Sequence, residues 1–210
     1  MEEDKIKAIL NEYDEKYGLY ELFTEKTKKL IEELLEGSNI NIHSINSRAK
    51  EKSSLKNKLK ESEEEYNNLS DITDLSGVRI ITFFEDEVDK VAKIIKREFE
   101  IDYGNSVDKR NLLEPDRFGY LSLHYILKLS PHRLKLAENK KFKDYKVEIQ
   151  ISSILQHAWA EIEHDLGYKS EEAVPREIRR KFSRLAGLLE IADIEFVRIR
   201  DELKKHKKEL

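Results

Sequence analysis

The chain has no cysteine, so disulfides, thiol catalysis and cysteine-ligated zinc are excluded. It has only 3 prolines and 7 glycines in 210 residues, too few for an all-β sandwich, a collagen-like repeat or a long flexible linker. No apolar run approaches the ~20 residues that a membrane span needs. The opening Met1-Glu-Glu-Asp-Lys5 lacks the basic head and apolar stretch of a signal peptide. Apolar residues, at 39%, recur periodically along almost the whole length, which argues against disorder. A cytoplasmic, non-membrane protein built as one sizeable domain is the expectation.

Charge of neither sign dominates. There are 39 basic against 43 acidic residues, a net charge of −4. The basic residues are unevenly placed, with nine Lys or Arg between Lys26 and Lys60. A locally basic surface on a mildly acidic protein suits a small polyanion better than a long duplex.

Along the chain, residues 3–36 read as two helices broken near Gly18, with an apolar stripe through Leu19, Leu22, Phe23, Leu30, Leu34 and Leu35 and a stop at Gly37-Ser38-Asn39. Residues 40–47 read as extended and residues 50–67 as a polar helix. The β-branched, aromatic run Gly77–Phe84 predicts a strand, followed by a surface helix over Glu87–Glu98. Residues 104–118 read as the one long loop, and such loops are usually functional or mobile. Two more strands are expected at Leu121–Leu129 and Tyr145–Ile151, then a helix over Ile154–Tyr168. A final helical stretch, Arg176–Leu210, could break near Gly187. The fold class predicted is α+β, a mixed sheet of about five strands flanked by helices, with no internal repeat or linker.

Chemistry-bearing residues gather on the predicted strands. In Tyr145-Lys-Val-Glu-Ile-Gln-Ile151, alternation sends Val147, Ile149 and Ile151 one way and Glu148 and Gln150 the other. That places either a polar cleft or an ordinary solvent face over the sheet. Asp74 precedes the next strand, where Arg79 opposes Val78 and Ile80. Asp74 and Glu148 could hold one Mg²⁺ with phosphates completing its shell, and Arg79 would be a phosphate or base-stacking cation. Alternatively, Asp74 caps a turn and Arg79 pairs with an exposed acid. Glycine-rich phosphate loops are missing from the sequence, so bound phosphates would need side chains such as Arg48, Lys50 and Lys58. Tyr120, Ser122 and His124 share a strand face that could stack a base and touch a sugar. His157, Glu161 and His164 share a helix face, readable as a zinc site or as solvent-side pairing.

In order, Arg48-Ala-Lys50 with Lys58, Asp74-Leu-Ser-Gly-Val-Arg79, Gly119-Tyr-Leu-Ser-Leu-His124, Val147-Glu-Ile-Gln-Ile151 and His157-Ala-Trp-Ala-Glu-Ile-Glu-His-Asp-Leu-Gly-Tyr-Lys169 resemble the synthetase domain of the RelA/SpoT family in its small stand-alone form. The resemblance covers about residues 40–190 and leaves no room for the family's hydrolase or regulatory domains. It implies a nucleotidyltransferase-like fold over 1–210: N-terminal helices 1–37, a catalytic core of about 40–170 and a C-terminal helical segment 175–210. It also implies transfer of the β,γ-diphosphate of ATP onto a ribose 3′-hydroxyl. Asp74 and Glu148 would hold Mg²⁺, with Glu148 also taking the hydroxyl proton. Arg48 and Arg79 would sandwich adenine, Lys50 and Lys58 would neutralise phosphates, and Tyr120, His124, Gln150 and His157 would contact the acceptor.

Two departures bear on the acceptor. The family commonly follows Glu-Ile-Gln-Ile with Arg-Thr, where this chain has Ser152-Ser153, and Glu114-Pro-Asp-Arg-Phe118 stands where many alarmone synthetases carry more lysine. GDP or GTP is the expected acceptor. The alternative is a toxin modifying the 3′ CCA end of tRNA, docked through Lys26, Lys28 and Lys29 and neutralised by an antitoxin. A third reading is a non-catalytic nucleotide- or RNA-binding regulator. The long C-terminal helix could serve a homo-oligomer.

Overall fold

The structure is a computed structural model and describes residues 3–62, 66–111, 118–119, 121–168 and 174–209. Its first element is one unbroken helix, α1 (Glu3–Leu35), rather than two. Nothing lies within 4 Å of a Cβ built on Gly18. The helix period carries straight through it, with Ile6, Ile9, Leu10 and Tyr13 buried before it and Tyr20, Phe23, Ile31 and Leu35 after. That packing outweighs the ~1 kcal/mol that a mid-helix glycine costs. The buried stripe also differs from the expected one, since Leu19 and Leu22 face solvent. The helix stops where foreseen. Gly37 takes a left-handed φ of 73°, and both the amide and the hydroxyl of Ser38 return to the Leu35 carbonyl.

Five strands follow: β1 (Ile42–Ala49), β2 (Ser76–Thr82), β3 (Phe99–Asp108), β4 (Leu123–Leu129) and β5 (Val147–Ser153). They are interleaved with α2 (Lys52–Glu61), α3 (Glu85–Glu98), the short α4 (Pro131–Leu134), α5 (Ile154–Tyr168) and α6 (Arg176–Glu209). The sheet order is β1-β2-β5-β4-β3. Only β2 and β5 run parallel; the other pairs are antiparallel. The strand β3 corrects the long-loop expectation. Its pairing shifts register between Asp102 and Val107, where Asn105 turns back onto the Asp102 carboxylate, so an edge strand carries turn-forming residues. Residues 112–117 lie outside those described.

The two faces of the sheet do different work. Val78, Ile80, Leu123, Tyr125, Leu127, Val147, Ile149 and Ile151 point into a core closed by Phe23, Ile31 and Leu35 of α1 and by Val88, Val91 and Ile95 of α3. A second cluster joins the start of α1 to Leu55 and Leu59 of α2 and to Leu69, Ile72 and Leu75. The intervening residues Arg79, His124, Glu148 and Gln150 are only partly buried, on the opposite face. The period-2 alternation read from the sequence therefore holds across three adjacent strands.

The C-terminal helix α6 does not break at Gly187. A Cβ there would meet three ring atoms of Phe118 at 3.1–3.3 Å, so the missing side chain admits the ring rather than bending the helix. The apolar side of α5 is only partly covered. Trp159 stacks edge-on against Phe182, but Ile162 and Leu166 are exposed, as are Leu185, Leu188, Ile191, Phe196, Ile199 and Leu203 of α6. No helix among the described residues is long and apolar enough to cross a membrane.

Ile149 is fully buried beneath the polar face. Its truncation to Ala is expected to cost about 2–5 kcal/mol, and to Val about 0.5–1.5 kcal/mol, in urea denaturation. Equal small losses for both would contradict the packing described.

Candidate active site

A cavity of ≈ 250 Å³ opens on the polar face, lined among others by Arg48, Lys50, Asp74, Arg79, Glu148 and Gln150. Sheet register assembles it. Arg48 pairs with Gly77 across β1 and β2, Gly77 with Glu148 and Arg79 with Gln150 across β2 and β5, and His124 with Gln150 across β4 and β5. The end of β1 is pinned at Lys50. Its amide donates to the Leu75 carbonyl at 2.9 Å, and its carbonyl accepts from the buried Tyr13 hydroxyl at 2.5 Å. Burial pushes the Tyr13 phenol well above its ordinary value, so it stays a neutral donor.

Asp74 is the electrostatic centre. Lys50 Nζ lies 2.9 Å from its Oδ2 and Lys58 Nζ 2.9 Å from its Oδ1. Burial alone would raise the Asp74 carboxyl; the two ammonium groups outweigh it and hold the group below the ordinary aspartate range. Desolvation pushes Lys58 down, but the same carboxylate, helped by a side-chain hydrogen bond with Tyr66, prevails and raises it. Arg48 makes no ion pair among the described residues and is exposed at the cavity rim.

On the other wall, His124 Nδ1 donates to Glu148 Oε1 at 2.8 Å. Desolvation pushes Glu148 up, and Asp74 adds to that push. The hydrogen bond and charge of His124, helped by Gln150, prevail and bring it below its usual value. Both carboxylates are thus ionised in one cavity, each partly shielded from water. Mg²⁺ is commonly held by one or two carboxylates with phosphates and water filling the rest of its shell, so this donor set fits a hard divalent cation. The described residues hold no cluster of three or more potential metal ligands, which leaves the His157, Glu161, His164 zinc reading without support.

Arg79 spans the cavity floor. Its Nε donates to Gln150 Oε1 at 3.3 Å and its Nη1 to Glu161 Oε1 at 2.6 Å. The exposed-acid partner foreseen for Arg79 is therefore real, and it is Glu161. The same Glu161 oxygen lies 3.9 Å from His157 Nδ1, which places His157 beside the cavity. Burial, then the charge of Arg79, lowers the His157 pKa.

Lys26, Lys28 and Lys29 are not brought to this site. They lie on α1, where Lys28 faces Glu32 at 3.8 Å and Lys29 borders a groove shared with Glu32, Glu33 and Glu36, a mixed rather than basic surface. Tyr120 lies outside the described residues. Ser152 and Ser153 are both buried, not at an acceptor rim. Ser153 Oγ donates to Asp193 Oδ2 of α6 at 2.7 Å and accepts the Gln156 amide at 3.2 Å, and Gln156 Oε1 accepts the Leu121 amide. Sequence reading missed this chain of contacts because its acid comes from a helix 40 positions away.

The sequence model of the region found in RelA/SpoT proteins matches residues 47–173, which include every residue lining the cavity except Asn46. The chain belongs to the RelA/SpoT family. Among RelA/SpoT relatives it is similar to GTP pyrophosphokinase YjbM of Bacillus subtilis, 27% identical over 167 residues that cover 78% of this chain and 74% of that one. The fold matches small alarmone synthetase 1 from Bacillus subtilis at a TM-score of 0.74 and 22% identity, covering 93% of this chain and 99% of that one. A structure of that synthetase bound to its product pppGpp gives a TM-score of 0.72 at 23% identity, over 92% and 99% of the two chains.

Asp74 ties charge to stability. A carboxylate with a depressed folded pKa stabilises above its unfolded value, 3.8, and loses that contribution as pH falls through the folded value. Asp74→Asn is expected to lose about 1–2 kcal/mol near neutral pH, leaving two lysines facing each other. The gap from wild type should close in acid, as read by urea unfolding across pH. A gap that persists unchanged in acid would show that the ion pairs are not its source.

Proposed function

We propose that this chain is an ATP-dependent pyrophosphokinase that moves the β,γ-diphosphate of ATP onto the ribose 3′-hydroxyl of GDP or GTP, making the (p)ppGpp alarmone. The observation that carries this reading is the pairing of two ionised carboxylates, Asp74 and Glu148, with Lys50, Lys58, Arg48 and Arg79 around one cavity. Phosphoryl-type transfer asks a protein mainly for positioning and charge neutralisation, and this set supplies both. The guanine acceptor is supported by the pyrophosphokinase relative and by the pppGpp-bound fold neighbour.

Asp74 and Glu148 would hold Mg²⁺, which when bound neutralises phosphate charge. Lys50 and Lys58 would then leave Asp74 for the phosphate oxygens. Arg48 and Arg79 would bracket the adenine from β1 and β2. Glu148, ionised and oriented by His124, would accept the proton of the attacking 3′-hydroxyl, whose oxygen bonds the β-phosphorus as AMP departs. Gln150, His124 and His157 would face the acceptor, and Tyr120 would stack on its base. The mixed charge around Lys28 and Lys29 gives the tRNA-modifying toxin, and with it an antitoxin partner, no comparable support. The apolar side chains left exposed along α6 support self-association.

The test is turnover of ATP with GDP or GTP in Mg²⁺, followed by chromatography of AMP and the guanosine 3′-diphosphate product. Glu148→Gln should lower the rate about 10²–10⁴-fold while leaving the unfolding curve in place. Full activity of that variant, or AMP release without a guanosine product, would overturn the assignment.

A further inference from the structure

We infer that Glu161 is a positioning residue for the donor nucleotide, holding the Arg79 guanidinium edge-on so that its flat faces stay open to a base. This rests on the reading of Arg79 as an adenine contact. Guanidinium N–H groups donate in the plane of the group, and its faces do the stacking. In the cleft both in-plane bonds are made at adjoining edges, Nε to Gln150 at 3.3 Å and Nη1 to Glu161 at 2.6 Å. With two anchors on different elements, β5 and α5, rotation of the plane is arrested. A single anchor would leave the group free to swing about the remaining bond.

The position of Glu161 fits this use better than a stabilising one. Its side chain is 58% exposed and that of Arg79 36%, so the pair adds little to folding. What it contributes is orientation, an entropy cost met before the nucleotide arrives. The acid sits one helical turn beyond His157, whose Nδ1 lies 3.9 Å from the same oxygen, and so reaches Arg79 from the acceptor side of the cavity. Gln150 likewise contacts Glu148, so the plane of the donor-side arginine is set by residues of the acceptor side.

Binding of a non-hydrolysable ATP analogue and of inorganic tripolyphosphate, measured by calorimetry, tests the inference without turnover. Glu161→Ala should weaken the analogue about three- to tenfold and leave tripolyphosphate unchanged, since the base is what is lost. Glu161→Gln keeps an acceptor for Nη1 and should restore most of the affinity. In an Arg79→Ala background, Glu161→Ala should have no further effect. Tighter analogue binding by Glu161→Ala would mean that the acid competes with ATP, and equal losses for both ligands, or the same loss without Arg79, would mean that it acts elsewhere. Each outcome overturns the inference. If Arg79→Ala alone leaves analogue binding unchanged, the adenine role of Arg79 fails first and the inference falls with it.

Discussion

Asp74 shared between Lys50 and Lys58 is the interaction on which the cleft depends. Two ammonium groups 2.9 Å from the two oxygens of one half-buried carboxylate solve a problem that each charge would pose alone. Unpaired, any of them would be costly to keep from water. Together they are stable but exchangeable, because two positive charges face one negative charge and Glu148 stands nearby with a second. In such a group the lysines can turn to an arriving phosphate while an arriving cation takes their place on the carboxylates. The fold pins it from behind: Tyr13 and Leu75 fix the backbone at Lys50, and Leu55 and Leu59 anchor the helix carrying Lys58.

The sheet makes this possible by separating its faces. One face is filled with Val, Ile and Leu against α1 and α3, and burial there supplies stability. The other can then carry Arg79, Glu148, Gln150 and His124, residues a core would not tolerate. Register turns strand alternation into a site, because Arg79 stands beside Gln150 and Gln150 beside His124. Arg79, Glu148, Gln150 and His124 are thus held by three adjacent central strands, while Asp74 is set in the turn that leads into β2.

Much of this was legible in the sequence, for identifiable reasons. Runs with strict alternation, such as Val147–Ile151, declared both their structure and their polar side. Capping residues fixed the end of α1 at Gly37. Errors arose where tertiary packing overrode local signals. Gly18 and Gly187 looked like breaks, yet one is bridged by buried neighbours on both sides and the other admits Phe118. The edge strand β3 was hidden by Asp102, Gly104 and Asn105, turn formers that here build a register shift. Long-range partners left no local mark. The spacing of His157 and Glu161 was visible, but the arginine that Glu161 holds lies 82 positions away. Ser152-Ser153 read as an acceptor-edge change, whereas Ser153 is a buried link to Asp193.

The exchange of partners at Asp74 is the central claim, and it is open to one direct measurement. The affinity of a non-hydrolysable ATP analogue should be determined with Mg²⁺ and with a chelator, for wild type and Asp74→Asn. If the lysines pass from Asp74 to phosphate as the cation takes their place, wild-type affinity should rise about tenfold or more with Mg²⁺, and Asp74→Asn should lose most of that dependence. An equal Mg²⁺ dependence in both proteins would contradict the exchange and leave Asp74 a structural ion pair.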